Sequence, residues 1–106
     1  MSKKSLQSIE EEITKVKKEI QEIGQMRPGS LTRQYKNPKD KTGLFYQLSY
    51  TSKMKSKTEY IRPQFIDDIR LQINAYKRFR ILVQHWIELA IEYSREKMDI
   101  EKRNKL

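Results

Sequence analysis

Leu6, Ile9, Ile13, Val16, Ile20 and Ile23 follow one another at spacings of 3, 4, 3, 4 and 3, an unbroken heptad seam. The spacing predicts a helix over residues 1–25, about 30 Å of it in three heptads at 1.5 Å per residue. Glu and Lys flank the stripe, which is narrow, so such a helix needs a second helix to cover it. Ser5 or Ser8 is available as N-cap, Ser8 with Glu11 three residues on as in a capping box. Gly24 is placed to end the helix with a left-handed residue.

A covering helix is available further on. Pro63 suits a first helical position, Asp67 and Asp68 suit the positive end of a helix dipole, and no Gly or Pro follows. Phe65, Ile69, Tyr76, Phe79, Val83, Trp86, Ala90, Tyr93 and Ile100 form a seam, widened by Ile66, Ile73, Leu82, Ile87 and Leu89. The predicted helix over 63–101 is about twice as long as the first. Folding back antiparallel, the first helix covers only half of it and is expected to leave Trp86, Leu89 and Tyr93 open. A homodimer with a shared helical bundle is therefore expected, with Ile13, Val16, Ile20, Leu82, Trp86, Leu89 and Tyr93 at its seams.

The intervening stretch reads as strand and turn. Arg27-Pro28-Gly29-Ser30 suits a type II turn, and LTRQY from residue 31 is a candidate short strand. Residues 37–43 (NPKDKTG) read as an exposed loop. LFYQLSYT then alternates, Leu44, Tyr46, Leu48 and Tyr50 pointing one way and Phe45, Gln47, Ser49 and Thr51 the other. KTEYIR can pair back across a tip containing Lys53, Lys55 and Lys57. A lone hairpin is marginal in water, so a third strand or an underlying helix is required. The fold class expected is α+β: an N-terminal coiled-coil helix, a small antiparallel β-hairpin or three-stranded unit, and a long C-terminal helix antiparallel to the first. One domain over 1–106 is expected, divided into a helix (1–25), a basic β-unit (26–62) and the long helix (63–101).

Charge is concentrated in the middle. Of the formal net charge of +9, residues 27–62 carry +7, nine Lys and Arg against Asp40 and Glu59. Such an excess favours anionic partners, nucleic acid first and acidic protein or lipid surfaces second. With 106 residues and 36% hydrophobic content the core is modest, and the absence of cysteine removes disulfides and thiolate metal sites. No stretch approaches the roughly 18 apolar residues of a membrane span. No membrane association and a cytoplasmic location are expected.

The stretches MRPGSLTRQY, FYQLSYT, KSKTEYIRPQF, INAYKRFRIL and WIELAIEYSR resemble a family of short uncharacterised proteins of bacteria, archaea, phages and mobile elements. These share a Gly-Ser-Leu-x-Arg-x-Tyr start, a Tyr-rich hairpin and a Tyr-Lys-Arg-Phe helix; the likeness runs from about Met26 to Arg95. The resemblance implies a phage or mobile-element setting and no established activity. Where many relatives carry cysteines spaced like a metal knuckle, this chain has Tyr35-Lys36-Asn37-Pro38-Lys39-Asp40. Relatives often place Gly in the hairpin tip, and Met54 at that place implies a turn wider than two residues.

Catalytic signatures are missing. The single histidine, His85, falls within the long helix, and there is no glycine-rich phosphate loop, nucleophile elbow or paired-His motif. Glu11 with Lys15 and Asp99 with Arg103 have the spacing of helix-surface ion pairs. No enzyme, metal or cofactor is expected. A two-stranded ribbon fits the major groove of duplex DNA, and Lys53, Lys55 and Lys57 at its tip are candidates for phosphate contacts. Arg33, Gln34, Lys36, Lys39, Lys41 and Arg62 are candidates on the same β-unit, with Lys77, Arg78 and Arg80 as a second basic cluster. DNA is expected over RNA. Against this stands the use of edge lysines to block strand pairing, in which case the chain is a protein-interaction module, an adaptor or inhibitor of a host or mobile-element protein that uses its coiled-coil faces.

Overall fold

The computed structural model describes residues 4–104. Its elements are α1 (Leu6–Gln21), β1 (Ser30–Asn37), β2 (Thr42–Ser52), β3 (Lys55–Ile61), a 3₁₀ turn (Pro63–Phe65) and α2 (Ile66–Asn104). The fold is α+β, with a three-stranded antiparallel sheet between the two helices in chain order. The chain divides into two compact units: a β-unit, Gln25–Lys77, and a helical unit comprising the chain up to Gly24 and from Arg78 onward.

In the β-unit the strands lie in the order β1-β2-β3, so the expected third strand flanks the hairpin. Leu31 pairs with Leu48, and Tyr46 with Ile61, which sets apolar residues of all three strands on one side. Asp67 and Asp68 occupy the first turn of α2, and Ile66, Ile69 and Ile73 on its inner face meet Leu48 and Ile61. Leu31, Tyr46 and Tyr50 close the cluster, and Leu48 is 0% exposed at its centre. Phe65, expected in the helical seam, is exposed, because the inner row begins one residue later at Ile66.

The turn expected at residues 27–30 does not form, and the chain runs into β1 without one. Gly29 has φ +133°, and a Cβ there would lie 2.7 Å from Leu48 Cδ1 and 2.9 Å from the Ser49 carbonyl oxygen. Glycine is therefore required by a close approach to the sheet. The adjoining Arg27 is anchored three ways. Its N–H donates to the Gln72 carbonyl at 3.0 Å, its guanidinium pairs with Glu59, and it lies 5.1 Å from the Tyr50 ring centre.

In the helical unit Ser5 is the N-cap of α1, its Oγ accepting from the Ser8 N–H at 3.1 Å. Gly24 has no part in ending α1, which closes at Gln21 with Glu22 as a right-handed C-cap. Ile9, Val16, Leu82 and Leu89 form the core, with Ile13, Ile20, Ile23, Trp86 and Tyr93 packed around it. Tyr93 donates to Glu10, Lys17 lies 5.0 Å from the Trp86 ring centre, and Arg78 pairs with Glu19, so α1 and this part of α2 are antiparallel. The expectation that Trp86, Leu89 and Tyr93 stay uncovered is overturned. Sheet strands claim Ile66, Ile69 and Ile73, which leaves α1 to cover the later part of the helix. Ile13, Val16, Ile20, Leu82, Trp86, Leu89 and Tyr93 thus meet inside one chain.

Candidate nucleic-acid interface

Antiparallel partners share a face of the sheet, so register fixes the direction of every side chain. On the helix side stand Leu31, Arg33 and Tyr35 of β1, Leu44, Tyr46, Leu48 and Tyr50 of β2, and Lys55, Lys57, Glu59 and Ile61 of β3. The outward side holds Ser30, Thr32 and Gln34, then Phe45, Gln47, Ser49 and Thr51, then Ser56, Thr58 and Tyr60.

Pairing of β2 with β3 continues to Ser52 and Lys55, so the tip is a two-residue turn of Lys53 and Met54. Both have positive φ, 52° and 66°, as two-residue hairpins of the right twist demand, and the wider turn implied by the missing glycine is not found. Pairing with β1 stops at Ser49. Beyond it, residues 50–57 continue as a two-stranded ribbon that carries Lys53, Lys55 and Lys57, all exposed.

Lys39 and Lys41 lie in the loop at the other end of β2, which spans about 35 Å at 3.3 Å per residue. The loop is closed by the Asn37–Thr42 pair, reinforced by Asn37 Nδ2 donating to Thr42 Oγ1 at 3.2 Å. Lys41 has φ 52°, and the Lys36 stem lies over Gly43, where a Cβ would come within 2.8 Å of it. Among the described residues, no ion pair involves Lys36, Lys39, Lys41, Lys53, Lys55 or Lys57.

The remaining candidates divide. Arg33 is pinned on the helix side, its guanidinium held above its ordinary pKa first by hydrogen bonding to Tyr46 and then to Tyr35. Gln34 faces outward and donates to Thr32 Oγ1 at 3.4 Å. Arg62 is exposed in extended backbone just after β3. Lys77, Arg78 and Arg80 follow one another on α2, Lys77 within the β-unit and Arg78 and Arg80 within the helical unit, where Arg78 is paired with Glu19. His85 is exposed on α2.

Two features escaped the sequence reading. Arg70, Asn74 and Lys77, at i, i+4 and i+7 on α2, line a cleft of about 280 Å³ with Gly29, Ser30, Leu31 and Ile73. Two cations two helical turns apart beside a hydroxyl and an amide suit an anion of phosphate size. The spacing was visible, but its partner at the edge of β1 was not. The second is the outward pair Phe45 and Tyr60, ring centres 5.7 Å apart and planes at 39°. Strand alternation already set Phe45 outward; pairing it with Tyr60 needed the register that the short turn fixes.

Among the described residues no group of three or more His, Cys, Asp or Glu could hold a metal ion, and no helix is long and apolar enough to cross a membrane. No family model matches the chain. Neither a curated protein nor a solved structure matches it.

Proposed function

We propose that the protein is a non-catalytic nucleic-acid-binding protein whose β-unit is the binding element. The observation that carries this reading is the concentration of unpaired cations there. Gln25–Lys77 holds eleven Lys and Arg against four acids, +7 of the chain's +9, and one of the four, Glu59, is taken by Arg27. Duplex DNA is the ligand of the tip, because a two-stranded ribbon fits a major groove about 12 Å wide and residues 50–57 form such a ribbon. The cations at the two ends of β2 are about one turn of B-DNA apart. Arg70 and Lys77 beside Ser30 offer a further phosphate site. The resemblance over residues 26–95 attaches a phage or mobile-element setting to this reading.

Replacing Lys53, Lys55 and Lys57 together by Ala is expected to weaken a duplex mobility shift at low salt by about tenfold or more while far-UV circular dichroism is unchanged. An undiminished shift rejects the tip as the contact. A second reading, a protein-interaction module, draws on Ile87, Ile91 and Met98, exposed on α2 beside Ala90 and Ser94. A second copy, forming the homodimer, is recruited through this row, since the heptad seam is already occupied. A monomer in sedimentation at micromolar concentration removes the dimer and leaves the ribbon's role intact.

A further inference from the structure

The outward face of the sheet has a chemistry of its own. Its side chains over three strands are hydroxyls, amides and two aromatic rings, with Lys36 over Gly43 at one end, and all four acids of the β-unit lie elsewhere. Asp40 is in the loop between β1 and β2, Glu59 is on the helix side against Arg27, and Asp67 and Asp68 are in the first turn of α2. The unit's core is complete without Phe45 and Tyr60, since Leu48, Ile61, Ile66, Ile69 and Ile73 are closed by Leu31, Tyr46 and Tyr50 on the opposite side. Tyr60 remains 57% exposed. Thr32 and Gln34 lie across β2 beside the rings, opposite Gln47 and Phe45.

We infer that this face is a stacking platform for the unpaired bases of a single-stranded nucleic acid, resting on the reading of the β-unit as the nucleic-acid-binding element. The exposed ring of Tyr60 and the half-buried ring of Phe45 beside it, on an acid-free sheet face, stack on the π-face of any base, while the amides of Gln34 and Gln47 reach base edges. Bases within a duplex are stacked on one another and cannot lie on a ring. The three-stranded part of the sheet is also wider than the ribbon a major groove admits. Cations at both ends of β2, Lys36, Lys39 and Lys41 at one and Lys53 at the other, supply the charge that tracks a backbone laid along the strand. An acidic protein surface would use the same lysines, yet it has no need of an acid-free aromatic face between them.

The test compares single-stranded DNA, single-stranded RNA and duplex DNA of equal length by fluorescence anisotropy. In a Phe45→Leu, Tyr60→Leu variant, affinity for single strands is expected to fall by about ten- to a hundredfold with duplex affinity unchanged. The DNA and RNA arms decide which sugar is preferred. Equal loss on single strands and duplex, or no loss on either, overturns the platform. Should the double variant melt early, Tyr60→Trp keeps a ring in place. Its added emission over that of Trp86 is expected to be quenched by single strands alone, and absence of quenching overturns the proposal. If the Lys53, Lys55 and Lys57 variant loses duplex binding while the ring variants change nothing, the platform fails and the nucleic-acid reading stands. If the unmodified protein binds none of the three, both fail.

Discussion

Lys53 and Met54 stand in a backbone region that favours glycine and asparagine, with φ of 52° and 66°. Each non-glycine residue there costs about 1–2 kcal/mol from Cβ against its own carbonyl. Nothing in the packing repays that cost, because Met54 is 98% exposed and Lys53 forms no ion pair among the described residues. Met54→Gly is therefore expected to stabilise the β-unit by about 1 kcal/mol, read as a higher urea midpoint at unchanged slope. All three tip lysines survive that change, so duplex affinity is expected to hold if charge carries the contact. A loss of affinity would instead make the Met54 side chain part of it. The missing glycine had implied a wider turn, and here local preference is overridden by β2 and β3 pairing up to Ser52 and Lys55.

The helix pair of the helical unit is joined across its seam by the Tyr93 hydroxyl, which donates to Glu10 Oε1 at 2.9 Å. That bond, with a smaller contribution from burial, raises the tyrosine's pKa above its ordinary 10.0. A group whose folded pKa is raised stabilises fully below its unfolded pKa, and the contribution is lost as pH rises through the folded value. The helix pair is thus expected to weaken above about pH 10, and Tyr93→Phe to flatten that part of the curve in thermal melts against pH. An unchanged alkaline slope in the variant would assign the loss to other groups. Much at this scale was legible: the heptads of α1, the uninterrupted length of α2, and the alternation that turns Tyr46, Leu48 and Tyr50 inward, although Leu44, of the same parity, lies beyond the core and is exposed. What α1 covers was not, because α2 repeats apolar residues at steps of 3 and 4 along its whole length. Only the sheet's claim on Ile66, Ile69 and Ile73 decides which part remains for α1. The lysine faces were hidden for a related reason. Alternation sets parity within a strand, but whether Lys55 and Lys57 share a side with Leu48 depends on the turn length, and the two-residue turn sets them there.

At the scale of the whole chain, charge and fold are partitioned together, +7 in the β-unit and +2 in the helical unit. Such a division has a measurable consequence, since each phosphate neutralised releases counterions and steepens the dependence of affinity on salt. If Lys36, Lys39, Lys41, Lys53, Lys55 and Lys57 all engage, the slope of log affinity against log salt is about −5 on duplex and about −4 on single strands. Replacing the three tip lysines by Ala is expected to bring either slope to about half. Arg80 and Arg95 are exposed on the helical unit and serve as the internal comparison. Their replacement by Ala removes the same kind of charge from the chain but is expected to leave the slope within about one-fifth of its value, because a slope counts contacts and not total charge. A proportional drop on losing Arg80 and Arg95 would mean that binding responds to net charge alone. The arrangement of lysines at the two ends of β2 would then be a solubility device for exposed edge strands.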